Sequence, residues 1–286
     1  MAASAGVVLA GGRSSRMGSP KAALEWHGST LLRRTAGILA RVTCGPVVVV
    51  RAPGQELPDL PEGILVTEDP REGKGPLQGI AAGLAALAGY ADVAFISSTD
   101  LPFLHPAFVS RVLSAVTDDQ ATDVGLPVAR GFRQPLAAAY RVSLAGAAER
   151  LVAGDRLRPG FLFDQCAVAN LGDDELKHDP VLARLDPDLE SVVNINTLQE
   201  YRAARARPAP EVTVELSGAL AKDGGQSGRH GVRAATVGGA AGALGLVLDR
   251  RIAAALNGDE ITVHREIPLA TGDTVCFRPA DAARRS

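Results

Sequence analysis

Over the first 205 residues, short apolar runs alternate with longer segments whose apolar positions recur at helical spacing. The run Val47-Val48-Val49-Val50 is wholly β-branched, and residues 93–96 form a second continuous apolar run. Such runs are typical of strands that are buried on both faces, as in a parallel sheet covered by helices. The pattern therefore predicts an α/β fold with a doubly wound, mostly parallel sheet.

The same spacing predicts the individual elements of this first part. Strands are predicted at residues 6–8, 47–50, 64–66, 93–96, 124–128, 136–140 and 191–196, and the connection at residues 130–135 suits a hairpin. Helices are predicted from Ser29, as the cap, to about residue 41, and at residues 78–87, 106–116, 143–153 and 197–205.

The character of the chain changes after residue 205. Residues 206–210 contain two prolines close together, which favours a linker over a helix or a strand. Beyond them, strands are predicted at residues 212–216, 232–235, 261–264 and 274–277, around a small-residue helix at 237–248 and a glycine-rich hairpin tip at 224–228. We therefore predict a domain at residues 1–205, a linker at 206–210 and a compact α+β domain at 211–286.

Composition and charge narrow the possible partners. The chain of 286 residues is 46% hydrophobic and 22% charged, with a formal net charge of −2. Balanced charge disfavours nucleic acid or an anionic membrane as a partner, so any anion site must be local. The three cysteines form no CxxC pair, and the first apolar run is broken by Gly11-Gly12-Arg13, which together favour a reducing cytoplasm and argue against a secretory signal.

A local anion site is predicted at residues 9–21, LAGGRSSRMGSPK, directly after the first strand. Gly11 and Gly12 allow a sharp turn that directs backbone N–H groups toward an anion. Arg13, Arg16 and Lys21 add positive charge, and this combination favours binding of a polyphosphate. The alternative is an ordinary glycine-containing turn with arginines on the surface.

A second candidate is Asp100, which follows the predicted strand at residues 93–96. Ligands of open α/β sheets bind beyond the carboxyl ends of the strands, so an acid at this point is suited to holding a metal ion. The alternative is a cap on the helix predicted at residues 106–116.

The loop LAGGxSxRMGxxK resembles the signature of molybdenum cofactor guanylyltransferases, the MobA-like nucleotidyltransferases. The resemblance extends over about the first 205 residues through Glu68-Asp69, Gly75-Pro76-Leu77, Asp100-Leu101-Pro102, Gln134-Pro135, Arg156-Leu157-Arg158 and Val193-Asn194-Ile195-Asn196-Thr197. It implies a Rossmann-like fold. It also implies Mg²⁺-dependent transfer of GMP from GTP to the terminal phosphate of molybdopterin or the molybdenum cofactor, with release of pyrophosphate.

The resemblance also implies roles for individual residues. Catalysis is expected of Lys21, Arg16 and Asp100, and nucleotide binding of Leu9, Ala10, Gly11, Gly12, Arg13, Lys21, Asp69 and Asp100. Asp69 is expected to recognise guanine, and Asp100 with Asn196 to bind Mg²⁺. Contacts with the acceptor are expected from Gln134, Pro135, Arg156, Arg158 and Asn194.

Two departures from the family pattern keep alternatives open. The second strand ends in Val50-Arg51 where the family often has an asparagine, and Ser19-Pro20 precedes Lys21 where the family commonly has an aspartate. Both affect the choice of base, so a molybdopterin cytidylyltransferase or a sugar-1-phosphate nucleotidyltransferase is an alternative. Outside enzymes, the alternative is a protein that binds the cofactor and hands it over.

The last part of the chain resembles the β-grasp sulfur carriers of the MoaD/ThiS type. The resemblance rests on Ala255-Leu256-Asn257-Gly258-Asp259, Ile267-Pro268-Leu269 and Gly272-Asp273-Thr274-Val275. These carriers work through a terminal Gly-Gly, whereas this sequence has no glycine after Gly272. We therefore expect a docking or stabilising module, with molybdopterin biosynthesis or molybdoenzyme maturation proteins as its possible partners.

Overall fold

The computed structural model describes residues 3–11, 20–70, 75–218, 220 and 228–280. Contacts divide the chain into two compact units, which we call the N-terminal unit (Met1–Leu24 and Thr30–Ala204) and the C-terminal unit (Glu25–Ser29 and Arg205–Ser286). No helix in the described ranges combines the length and the apolar character that a membrane span requires.

The N-terminal unit is built on an eight-stranded sheet. Within the described residues, the first ten strands are β1 (Ser4–Leu9), β2 (Glu25–Trp26), β3 (Ser29–Thr30), β4 (Val47–Arg51), β5 (Leu65–Glu68), β6 (Val93–Ser98), β7 (Val124–Ala129), β8 (Phe132–Arg133), β9 (Ala137–Arg141) and β10 (Val168–Gly172). Strands β2 and β3 pair with each other. The others follow the order β10-β7-β9-β6-β1-β4-β5, with β8 beside β7.

Most of this sheet is parallel, as predicted. Strands β5, β4, β1 and β6 all run in one direction, and Val7 of β1 lies between Val48 of β4 and Ile96 of β6. Strand β10 is parallel to β7, whereas β9 is antiparallel to both β6 and β7. The chain runs outward from β1 to β5 and returns to β6, so the strand order reverses beside β1.

Helices cover both faces of the sheet. The helices described in this part of the chain are α1 (Leu31–Val42), α2 (Pro76–Ala86), α3 (Pro106–Thr117), α4 (Ala145–Ala153), α5 (Gly160–Phe163), α6 (Asp173–Lys177), α7 (Pro180–Leu185) and α8 (Leu198–Arg205), with 3₁₀ turns at Lys21–Ala23, Val142–Leu144 and Glu190–Val192. Because side chains alternate along a strand, Val8 and Val49 join the core under α1 and α3, whereas Val7 and Val48 join the core under α2 and α4.

Two details differ from the prediction, namely the residue that caps α1 and the burial of strand β5. Helix α1 is capped by Thr30, whose Oγ1 accepts from Arg33 N, and Ser29 lies in β3 instead. Strand β5 is at the edge of the sheet, and its Leu65 and Val66 are 42% and 48% exposed. The apolar run at residues 64–66 therefore predicted a strand correctly, but it did not predict that this strand would be partly exposed.

The strand predicted at residues 191–196 is wrong. Glu190–Val192 forms a 3₁₀ turn, and the buried side chains of Val192 and Ile195 are three residues apart, which does not match the alternation of a strand. The Asp186 carboxylate accepts from the backbone N–H groups of Glu190 and Ser191 at 2.6 and 3.1 Å. These donors are thereby satisfied without a neighbouring strand, and the sheet instead contains β10, which the sequence did not predict.

The C-terminal unit contains a five-stranded sheet and a short helix. Its elements are β11 (Glu211–Leu216), β12 (Gly228–Arg233), α9 (Val237–Ala243), β13 (Ile252–Leu256), β14 (Asp259–Ile261) and β15 (Thr274–Pro279), and the strand order is β12-β11-β15-β13-β14. The central pair, β11 and β15, is parallel, and the other pairs are antiparallel. Val214, Val237, Val275 and Phe277 are fully buried in its core.

Four predictions for this unit need correction. The helix ends at Ala243 rather than at residue 248, the strand predicted at 232–235 lies at Gly228–Arg233, and the strand predicted at 261–264 lies at Asp259–Ile261. Strand β13 was not predicted, because its sequence Ile-Ala-Ala-Ala-Leu lacks the β-branched character of a typical strand. Residues 224–227 of the predicted hairpin tip lie outside the described residues.

Candidate active site

The carboxyl ends of the parallel strands β1, β4, β5 and β6 meet at one edge of the sheet, where the described members of the predicted nucleotide-binding and metal-binding sets are found. Ala10 follows β1, Arg51 ends β4, Asp69 follows β5 and Asp100 lies two residues after β6. A ligand of an open α/β sheet binds at this edge, next to the reversal of strand order.

Three predicted residues meet around one ammonium group. Lys21 Nζ donates to Asp100 Oδ2 at 3.1 Å and to Asn196 Oδ1 at 3.1 Å. The Lys21 and Asp100 side chains are 20% and 19% exposed, so this ion pair is only partly screened by water. Ser98 Oγ donates to the other carboxylate oxygen of Asp100 and holds its plane. We call Lys21, Asp100 and Asn196 the cation cluster.

Asn196 reaches this cluster through a fixed loop. Ile195 N donates to the Asp100 carbonyl oxygen at 3.0 Å, which ties the loop to the end of β6. Thr197 caps α8 by accepting from Glu200 N, and Glu200 accepts from the N–H groups of Asn196 and Thr197 at 2.7 and 2.9 Å. This is a capping box. The hydrogen bonds from Asn196 and Thr197 hold the pKa of the Glu200 carboxyl below its ordinary value.

The cation cluster has the chemistry of a metal site. A carboxylate oxygen and an amide oxygen converge on one positive group, and both are hard donors of the kind that Mg²⁺ prefers. Within the described ranges, no group of three or more His, Cys, Asp or Glu residues could hold a metal ion. Two protein oxygens fit Mg²⁺, which usually keeps the remaining positions for water and substrate phosphates.

Asp69 lies on the other side of β1 from Asp100, beyond the end of β5. Its backbone N–H donates to the Arg51 carbonyl at 2.8 Å, and its Oδ1 accepts from Nε2 of Gln78. Arg51 itself is paired with Glu68 at 2.7 Å. The arginine that replaces the expected asparagine is therefore engaged with the edge strand.

The start of the predicted phosphate loop differs from the expectation. The N–H groups of Ala10 and Gly11 donate to the Val50 carbonyl at 2.8 and 3.2 Å, so they do not point to an anion in this structure. Gly11 is needed for close approach instead, because a Cβ there would lie 3.1 Å from Ala52 N. Leu9 ends β1 and is nearly buried. Gly12, Arg13 and Arg16 lie outside the described residues.

The five predicted acceptor residues are distributed over three loops. Gln134 and Pro135 connect β8 to β9, and Gln134 bonds to the Pro127 carbonyl through its backbone N–H at 2.9 Å. Arg156 and Arg158 are exposed between α4 and α5, and Arg156 lies over the Phe161 ring at 5.7 Å. Asn194 is exposed two residues before Asn196. The hydrogen bonds described for Gln134 stay within its own hairpin and do not run to the cation cluster.

Comparison with known proteins matches this arrangement to one family. A sequence profile described as the MobA-like NTP transferase domain matches residues 6–166. The chain belongs to the MobA-like NTP transferases. It is 36% identical over 207 residues to a probable molybdenum cofactor guanylyltransferase of Mycobacterium avium, which covers 71% of this chain and 96% of that protein. A protein of the same description from Mycobacterium tuberculosis H37Rv is 42% identical over 156 residues, covering 53% of this chain and 75% of that protein.

A solved structure agrees with the fold of this MobA-like chain. The crystal structure of molybdopterin-guanine dinucleotide biosynthesis protein A from Archaeoglobus fulgidus aligns with a TM-score of 0.55 at 22% identity. It covers 70% of this chain and 96% of that structure. This likeness confirms a mixed α/β nucleotidyltransferase fold with a mostly parallel central sheet.

Some residues of the site were missed by the sequence analysis. Gln55 links the loop to the end of β4, since its Nε2 donates to the Ala10 carbonyl and its Oε1 accepts from Ala52 N. Gln78 and Ser98 each bond to a predicted carboxylate. A signal was available for Gln78, the single polar residue between Pro76 and Ala86, but the sequence offered none for Gln55.

Proposed function

We propose that this chain transfers GMP from GTP to the terminal phosphate of molybdopterin, with or without bound molybdenum, and releases pyrophosphate. Membership of the MobA-like NTP transferases and the names of its relatives support this reaction. The observation that carries the proposal is the cation cluster, in which Lys21 meets Asp100 and Asn196 at the carboxyl edge of the sheet. We place the reaction in the cytoplasm.

In the proposed reaction, the chain aligns two phosphates and neutralises their charge. The acceptor is a phosphate monoester, which is largely dianionic at neutral pH and can attack without a general base. Lys21 would exchange its hydrogen bonds with Asp100 and Asn196 for phosphate oxygens of the nucleotide, assisted by Arg13 and Arg16. Neutralisation of this kind stabilises the charge that develops on the leaving pyrophosphate.

The residues present fit Mg²⁺ as the cofactor. Asp100 and Asn196 would hold it through the two oxygens that Lys21 contacts in this structure. When bound, Mg²⁺ would supply positive charge that polarises the α-phosphate of the nucleotide. Ser98 and the loop bond between Ile195 and Asp100 would keep the two ligands in place.

Base and acceptor would contact different loops around the cation cluster. Asp69 can accept from both N1–H and N2–H of guanine, a pair of donors that neither cytosine nor adenine presents at these positions. Gln134, Pro135, Arg156, Arg158 and Asn194 remain the proposed acceptor contacts, and their loops lie on the β6, β7 and β9 side or beside the start of α2.

The function is tested by nucleotide binding and by pyrophosphate release. GTP, CTP and ATP are titrated in parallel with and without Mg²⁺, and turnover is measured with molybdopterin. GTP should bind best and only with molybdopterin should pyrophosphate be released. Asp100→Asn should abolish turnover while circular dichroism shows an intact fold, and Asp174→Asn, at an exposed aspartate, serves as the matched control.

Each alternative has its own outcome in this experiment. Displacement of GTP by CTP at equal concentration would favour the cytidylyltransferase. Tight binding of molybdopterin without pyrophosphate release would favour a hand-over protein. Turnover by Asp100→Asn within a few-fold of wild type would show that Asp100 is not the metal ligand.

We propose that the C-terminal unit is a β-grasp domain of the MoaD/ThiS type, that the domains span residues 1–205 and 211–286, and that residues 206–210 link them. The residues of the resemblance meet in this unit. Asn257 Nδ2 donates to Asp273 Oδ1 at 2.8 Å, and Asn257 Oδ1 accepts from Thr274 N at 2.8 Å. We assign the domain a docking or stabilising role toward proteins that make or receive the cofactor.

A further inference from the structure

Gln78 is a buried polar residue on an otherwise apolar turn of α2. It is 3% exposed, and its neighbours Leu77 and Ile80 are fully buried. A buried amide costs free energy unless it is hydrogen-bonded. Gln78 Nε2 donates to Oδ1 of Asp69. The side chain of Gln78 therefore links the start of α2 to the Asp69 carboxylate, which we propose recognises the base.

This hydrogen bond fixes the orientation of the Asp69 carboxylate, which the backbone hydrogen bond of Asp69 does not determine. The Asp69 N–H donates to the Arg51 carbonyl at 2.8 Å, which places the residue at the end of β5. The torsion that rotates an aspartate carboxylate about its last bond is broad and has no single preferred value. A donor on Oδ1 selects one plane for the carboxylate.

We propose that Gln78 is a positioning residue that sets the preference for guanine by orienting Asp69. This inference rests on the proposed function, in which Asp69 receives N1–H and N2–H of the base. Two parallel hydrogen bonds form only when the carboxylate and the base share a plane. Inosine lacks the 2-amino group and offers N1–H alone, so the ratio of GTP to ITP affinity reports on this pair of bonds.

A merely structural Gln78 would behave differently. It would tie the end of β5 to the start of α2, and its loss would weaken GTP and ITP by the same factor. A positioning residue acts only through Asp69, so its effect on the GTP to ITP ratio must vanish once the Asp69 carboxylate is removed.

The test is calorimetric titration of the full chain with GTP, ITP and CTP in the presence of Mg²⁺. Gln78→Met keeps the volume and removes the donor, and Leu77→Met is a control for packing in the same turn. The preference of Gln78→Met for GTP over ITP should fall about tenfold, whereas Leu77→Met should keep the wild-type ratio. In Asp69→Ala, adding Gln78→Met should leave the ratio unchanged.

The outcomes separate this proposal from the proposed function. An unchanged GTP to ITP ratio in a folded Gln78→Met protein overturns the positioning role, as does an equal loss of ratio in the Asp69→Ala background. A wild-type protein that does not prefer GTP over CTP instead refutes guanylyl transfer. If Gln78→Met fails to fold, Gln78→Leu answers the question, because leucine suits a buried helix position and carries no donor.

Discussion

Gly83 of α2 packs directly against Val7 of β1, an interior strand of the sheet. A Cβ added there would lie 2.4 Å from Cγ1 and 3.1 Å from Cγ2 of Val7, and 3.3 Å from Cγ2 of Val50. Val7 and Val50 are 0% and 2% exposed, so neither side chain has free space into which to move. We therefore expect Gly83→Ala to destabilise the fold, although alanine is the better helix former.

The magnitude follows from two opposed terms. Alanine gains about 1 kcal/mol of helix propensity over glycine. Overpacking of a filled core costs typically about 1–3 kcal/mol and occasionally more, and a contact that must lengthen by about 1 Å against a β-branched side chain belongs at the upper end. The net loss is expected at about 2 kcal/mol, which lowers the Tm by roughly 4–8 °C for a unit of this size.

The assay is thermal and urea unfolding followed by circular dichroism. Gly146→Ala in α4 is the matched control, because the nearest atom to its added Cβ is Nη1 of Arg150 at 3.5 Å. The Tm of Gly146→Ala should equal that of the wild-type protein or exceed it. In the background of Val7→Ala, the space vacated by valine should accept the new methyl group, so Gly83→Ala should no longer destabilise. A Tm of Gly83→Ala at or above wild type would refute the packing argument.

Three further outcomes are expected. In the absence of nucleotide, Lys21→Met should bind Mn²⁺ more tightly than wild type, because the lysine ammonium no longer occupies the oxygens of Asp100 and Asn196. Electron paramagnetic resonance measures the Mn²⁺ affinity, and the control Lys177→Met should leave that affinity unchanged. Glu200→Ala should lower the Tm at pH 7, and the difference should shrink as the pH falls below 4.5 through the folded-state pKa, since a lowered carboxyl pKa stabilises only above that range. Truncation after Arg207 should leave a folded protein that still binds GTP in the same titration, and loss of GTP binding would contradict the proposed domain boundary.

Local sequence predicted the elements whose residues strongly favour one kind of secondary structure. The β-branched run at residues 47–50 became β4, and a proline at the first turn with apolar residues at helical spacing marked α3. Where local signals were weak, the structure is decided by distant contacts. Alanines at residues 253–255 form a strand because β13 pairs with β15, and nothing in their own sequence requires it.

In the candidate site too, local sequence could place some residues, whereas the position of another depends on distant contacts. Lys21 and Asp100 could be placed at one edge of the sheet, since each follows or precedes a recognisable strand. Asn196 is 96 residues beyond Asp100 and lies in a loop that was predicted to be a strand, so only the family resemblance pointed to it. Its actual position depends on the bond between Ile195 N and the Asp100 carbonyl and on the capping box of Glu200.

Strand β1 lies between β4 and β6, and both of these strands follow it in the chain. This strand is synthesised before both of its neighbours, since Gly6 pairs with Val47 and Ser4 pairs with Val93. At about 5–20 residues per second, the second of these partners is synthesised roughly 5–20 s after the strand itself. During this time five of the six residues of β1, all buried in the finished sheet, are without their final neighbours on at least one side. Until the sixth strand has emerged, the nascent chain therefore exposes apolar surface of the kind that holding chaperones bind.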